Sequence, residues 1–141
     1  MSKHNEALER FVEAQRETYD QALKEIKAGH KETHWMWWIF PQYKGLGYSD
    51  LSKFYAIQST DEATAYLVHP ILGRRLRECM NVLLDLKTND AVDVFGEIDA
   101  QKLKSCLTLF GYCGSLLSVV VLNKFFNGEP DETTLRLLVW E

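Results

Sequence analysis

His34-Trp35-Met36-Trp37-Trp38-Ile39-Phe40-Pro41-Gln42 places three of the chain's four tryptophans within four positions and ends on Pro41-Gln42. Whether this run is helix or strand decides the fold class. From Lys31 to Phe40 apolar residues fall on every side, without the alternation of a half-buried strand. As a helix, the run sets Trp35, Trp38 and Ile39 on one face and Met36, Trp37 and Phe40 on another. Pro41 disfavours helical backbone in the residue before it. The run therefore reads as a short buried helix that stops at Phe40. Trp35 to Phe40 can serve two layers of core, yet the ring density exceeds what a core needs. Rings provide flat stacking surface at low entropic cost, so a ligand wall is the companion reading.

The flanking segments share the helical period. Residues 5 to about 28 carry Leu8, Phe11, Val12, Tyr19, Ala22, Leu23 and Ile26 at helical spacing with no internal Gly or Pro. Gly29 then stands where a helix C-terminus prefers glycine. Gln15 falls inside the apolar stripe, either as a satisfied core amide or pointing into a pocket.

After Pro41, residues 42 to 50 read as a loop in which Gly45 and Gly47 allow positive φ and Lys44 can meet an anion. Ser49 or Asp50 caps a short helix carrying Phe54, Tyr55 and Ile57. Ser59 or Thr60 starts the next, with Glu62 in its first turn. His69-Pro70 breaks it before a helix to about Leu86, whose Arg74, Arg75 and Arg77 read as a solvated basic face ahead of a phosphate contact. One helical turn, Ala91 to Phe95, precedes Gly96, and residues 98 to 112 form a helix with Asp99 and Lys102 one turn apart. Leu116 to Phe126 is nearly uniformly apolar and is expected to be central. Asp131 caps a final helix through Leu138. An all-α fold follows: one domain over residues 1–141, of about seven helices.

Composition narrows the function classes. The chain has 141 residues, enough for one domain burying roughly two-thirds of its unfolded surface. It is 46% hydrophobic and 26% charged, with net charge −4, which argues against non-specific nucleic-acid binding. Three cysteines without a CxxC pair fit a reducing cytoplasm. Ser105 to Asn123 carries no charge, but Gly111 to Ser115 reads as a turn between two buried helices, not as part of a membrane span. No cofactor is expected. His30 and His34 lack a metal-binding frame, so no metal is expected either.

The run Gly29-x-Lys31-x-x-His34-Trp35-Met36-Trp37-x-x-Phe40-Pro41-Gln42-x-x-Gly45-Leu46-Gly47-x-Ser49 resembles the signature of a mostly bacterial family, domain of unknown function 1810. The likeness continues through Glu62-Ala63-x-x-Tyr66-Leu67-x-His69-Pro70 and Phe95-Gly96-x-x-Asp99-x-x-Lys102-Leu103-x-Ser105 to Thr134-x-x-x-Leu138. The resemblance implies an all-α domain, sometimes compared with armadillo-like packing, and no established activity. Some members carry a calpastatin label. Calpain inhibition by calpastatin belongs to disordered, repetitive chains, and this composition is compact and aromatic-rich.

The polar residues of these segments define a candidate site. His34 is a candidate acid or base, with Asp99 or Glu62 to orient it. Trp35, Trp38, Gln42, Lys44, Gly45, Gly47, Ser49, Tyr55, Arg75, Lys102 and Ser105 are candidate ligand contacts. The expected geometry is one cleft floored by the tryptophans and taking a small anionic, nucleotide-like or metabolite ligand. The alternative is a protein–protein interaction module that uses residues 34–42 as an aromatic anchor. Rings lining a concavity favour the first; an exposed convex aromatic patch favours the second.

Overall fold

The computed structural model describes residues 3–141. Nine α-helices occur among the described residues: α1 (Lys3–Arg16), α2 (Tyr19–Ala28), α3 (Met36–Ile39), α4 (Asp50–Phe54), α5 (Thr60–Val68), α6 (Leu72–Asp85), α7 (Ala91–Tyr112), α8 (Leu116–Phe126) and α9 (Glu132–Val139). Extended pairing among them is limited to an isolated parallel bridge between Tyr43 and Ile57. The fold is all-α, with two helices more than the expected seven or so.

Short polar side chains start most of the helices. Ser49, Ser59, Asp90, Ser115 and Asp131 each accept a hydrogen bond from a backbone N–H of the first helical turn. α6 lacks such a residue, and His69 supplies the cap instead: its Nδ1 accepts from the Ile71 and Leu72 amides at 3.1 and 3.2 Å. At the far end of α6, Lys124 donates to the carbonyls of Leu83, Leu84 and Leu86, as a cation at a helix C-terminus should. α7 packs against α8, α9 and α5, while α6 packs against α5, α8 and α2. The buried aromatic centre links Trp35, Phe40 and Phe95 at centroid separations of 5.9–6.3 Å.

Four local expectations need correction. The first segment is two helices, because the chain turns at Glu17-Thr18; there Thr18 Oγ1 donates to the Ala14 carbonyl (2.6 Å) and accepts from Trp38 Nε1 (2.9 Å). The tryptophan run is helical only from Met36 to Ile39, and its burial divides differently: Trp35, Met36, Ile39 and Phe40 are buried, whereas Trp37 and Trp38 are half-buried. α4 stops at Phe54, so Ile57 lies in the bridge. α8 is not central, since Leu116 is 76% exposed and Val119 and Val120 are also exposed; its uniform apolarity hides a one-sided burial through Ser118, Val121, Leu122 and Phe125.

Other expectations hold. Gly96 (φ 80°, ψ 168°) interrupts α7 where the sequence places a break. Residues between Tyr112 and Leu116 separate α7 from α8, and no helix among the described residues is long and apolar enough to cross a membrane.

Candidate functional site

The tryptophan run is anchored from α2. Glu25 is only 4% exposed, and its carboxylate accepts five hydrogen bonds. Oε1 takes the amides of Glu32 (2.7 Å) and Thr33 (2.9 Å) and Trp35 Nε1 (3.0 Å). Oε2 takes Thr33 Oγ1 (2.6 Å) and Gln21 Nε2 (2.9 Å). Burial alone would raise the carboxyl's pKa, but these donors outweigh it and hold the group well below the ordinary carboxylate range. Gln15 fixes the other end of the run: its Nε2 donates to the Trp38 carbonyl (2.8 Å) and Tyr66 Oη (3.1 Å), so it is a satisfied core amide. Beyond Pro41, the Gln42 carbonyl accepts from the Ile57 amide (2.8 Å) and the Lys44 amide donates back to Ile57 (3.0 Å).

With Trp35 locked inward, Trp37 stands at the surface, and three depressions adjoin it. The first, of about 290 Å³, runs from Gln42, Lys44, Gly45 and Gly47 to Ser52, Lys53, Tyr55 and Gln58. Arg10 holds its outer wall by donating to the Phe54 and Ala56 carbonyls (2.8 Å each) and pairing with Glu62 (2.9 Å). The second, of about 490 Å³, lies between Trp37, Gln42 and Leu46 and the α7 residues Ile98, Gln101, Lys102 and Ser105, with Asp131 and Thr133 at its edge. The third, of about 200 Å³, collects Lys31, His34, Asp99 and Lys102 around Trp35 to Trp38.

In the third depression two ammonium groups share one carboxylate. Asp99 Oδ2 pairs with Lys31 (2.9 Å) and Oδ1 with Lys102 (3.0 Å), whose ammonium also lies 4.3 Å from the Trp37 ring centroid. Burial opposes ionisation of Asp99, but hydrogen bonds and charge from both lysines prevail and lower its pKa. The first two depressions share a different feature. Gln42 is 6% exposed and lines both, and its Nε2 has no hydrogen-bond partner, the one such buried side-chain atom among the described residues. An unmet buried amide costs about 1–3 kcal/mol.

The expected single cleft is thus three adjoining depressions around Trp37. Gln42, Lys44, Gly45, Gly47 and Tyr55 meet in the first; Gln42, Lys102 and Ser105 in the second; His34, Trp35, Trp38, Asp99 and Lys102 in the third. Three residues stand apart. Glu62 is committed to Arg10 and the Gln58 amide, Ser49 to capping α4, and Arg75 to Gln15 (3.4 Å) and the Tyr19 ring. Asp99 spends both oxygens on lysines and so does not orient His34, which is exposed. Gly47 is glycine for packing, not for positive φ: a Cβ there would stand 2.5 Å from Ser52 Oγ.

Sequence reading overlooked Lys31, Lys53, Gln101 and Thr133 as lining residues. Lys31 carried a signal, its place two residues after Gly29 in the family pattern. The buried thiols Cys79 and Cys106 are unsuited to nucleophilic roles, since burial raises Cys79 to about 12 and Cys106 well above the ordinary value. No group of three or more His, Cys, Asp or Glu suited to a metal gathers among the described residues.

The crystal structure of the conserved hypothetical protein Rv1873 from Mycobacterium tuberculosis is similar at a TM-score of 0.91 and 41% identity, covering 94% of this chain and 96% of that one. No curated protein matches the chain. The model described as Protein of unknown function (DUF1810) matches residues 5–138, and the chain belongs to that family.

Proposed function

We propose that this protein binds a small anionic ligand, nucleotide-like or another metabolite, in the depressions beside Trp37. One observation carries the reading: the Gln42 amide, buried and without a partner, lines two concavities at once. A fold that satisfies Glu25 with five donors and Gln15 with two acceptors has left this donor open. A ligand acceptor there would recover the cost of that open donor. The adjoining cations Lys44 and Lys53 favour negative charge. An interaction module anchored by residues 34–42 would need outward rings, whereas Trp35, Met36, Ile39 and Phe40 are buried.

Gln42→Leu tests this. Removing the unmet donor while keeping the volume should leave the free protein as stable as before or about 1 kcal/mol more so. In a thermal-shift screen against nucleotides and metabolites, compounds that raise the wild-type melting temperature should lose that effect in the variant. If Gln42→Leu destabilises the free protein by about 1 kcal/mol or more, the amide serves the fold and the reading fails.

A further inference from the structure

The two depressions that share Gln42 differ in chemistry. The first holds two cations, Lys44 and Lys53, and neither forms an ion pair among the described residues. The amides of Gly45 and Gly47 in the same loop donate to no protein acceptor among the described residues. Glu141, the carboxylate whose charge Lys44 senses, accepts from the Thr60 amide at 2.7 Å. Two cations and two open amides suit a group with several charged oxygens better than a single carboxylate.

The second depression has no uncommitted charge. Asp131 Oδ1 accepts from Gln101 Nε2 (2.8 Å), and Oδ2 accepts from the Thr134 amide and hydroxyl (3.0 and 2.6 Å). Lys102 is held by Asp99 and the Trp37 ring. What stays open is neutral: the Gln101 amide oxygen, the lone pairs of Ser105 Oγ, which donates to the Gln101 carbonyl (3.2 Å), and the Thr133 hydroxyl. Such groups exchange hydrogen bonds with hydroxyls. Trp37, Gln42 and Leu46 line both depressions, so the two adjoin across those side chains, and the buried, unpartnered Gln42 amide belongs to the wall they share.

We infer that the two depressions are subsites of one site for a phosphorylated sugar, free or within a nucleotide. The phosphoryl group meets Lys44 and Lys53, the sugar hydroxyls meet Gln101, Ser105 and Thr133, and Gln42 donates to an oxygen between them. This rests on the ligand-site reading of Gln42 and specifies its ligand.

Isothermal titration of the full chain at low salt tests it with ribose 5-phosphate, AMP, ribose, inorganic phosphate and citrate. Ribose 5-phosphate or AMP should bind at least about tenfold more tightly than ribose or inorganic phosphate. Tighter binding of AMP identifies a nucleotide as the source, and tighter binding of ribose 5-phosphate a free sugar phosphate. Lys44→Ala with Lys53→Ala should reduce ribose 5-phosphate to the level of ribose. Thr133→Val should weaken ribose 5-phosphate but not inorganic phosphate. All three residues are exposed, so the variants should melt like wild type. Equal affinity for ribose 5-phosphate and inorganic phosphate overturns the sugar subsite. Binding of citrate, lost in Gln42→Leu, with ribose 5-phosphate and AMP silent, overturns this inference and leaves the ligand-site reading intact. Silence of all five probes overturns the inference, and silence of the thermal-shift screen as well overturns both.

Discussion

Glu25→Gln removes one charge from the anchor of the tryptophan run and leaves the shape unchanged. The new side chain keeps an oxygen where Glu32, Thr33 and Trp35 donate, but places an NH₂ where Oε2 took Thr33 Oγ1 and Gln21 Nε2. The threonine hydroxyl can rotate to accept; the Gln21 amide faces a donor. Hydrogen bonds to a charged acceptor are worth ~1.5–3 kcal/mol and neutral ones ~0.5–1.5, so five weakened or lost bonds sum to several kcal/mol. Relief of the carboxylate's desolvation offsets part of that. The net loss at neutral pH should be about 2–4 kcal/mol.

The pH dependence gives a second, independent check. The folded-state pKa of Glu25 lies below its unfolded value of about 4.3. Its contribution is therefore complete above that value and is lost as pH falls towards the folded-state pKa. Urea unfolding followed by tryptophan fluorescence and far-UV circular dichroism, from about pH 7 to about pH 3, should show a constant gap between wild type and variant down to about pH 5. The gap should narrow below about pH 4. A loss under about 0.5 kcal/mol at neutral pH, or a gap that stays constant to about pH 3, would refute this account of the anchor.

Two further substitutions probe the same region. Trp35→Ala should destabilise by ~3–5 kcal/mol, because it empties a site 1% exposed among Phe40 and Phe95 and strips Glu25 of a donor; an unchanged urea midpoint would mean the ring carries no packing energy. Gly47→Ala should cost ~1–3 kcal/mol by driving a Cβ against Ser52, read as a lowered melting temperature that Ser52→Gly partly restores.

Features set by neighbours in sequence were legible before the structure. Ser49, Ser59 and Asp131 cap the helices assigned to them, Gly29 takes φ 72° at the end of α2, and Gly96 breaks α7. Features set by distant partners were not. The turn at Thr18 depends on Trp38, twenty positions away, and the Lys31–Asp99 pair joins residues nearly half the chain apart. Periodicity also fails where the polar residue is the buried one. In Leu116 to Val121 the single polar residue, Ser118, faces inward and no polar residue marks the solvent side, so α8 reads as central although one side is exposed. Within the tryptophan run the same blindness applies. Three identical side chains receive three roles: Trp35 in the core, Trp38 bonded to Thr18, and Trp37 at the meeting of the depressions.

What separates scaffold from candidate site is hydrogen-bond satisfaction, not residue type. Glu25 and Gln42 flank the same aromatic run and are almost equally buried. Burying the carboxylate costs more, yet it is the carboxylate that is saturated and the neutral amide that is left open. The ionisable residues divide in the same way. Asp99 pairs with both Lys31 and Lys102, so each cation of the depression that contains His34 already has a protein partner. Lys44 and Lys53 form no ion pair among the described residues, and they line the first depression together with Trp37 and Gln42. The residue with the unmet donor and the unpaired cations thus line the same first depression, and that coincidence is why the proposed ligand is assigned there and not beside His34.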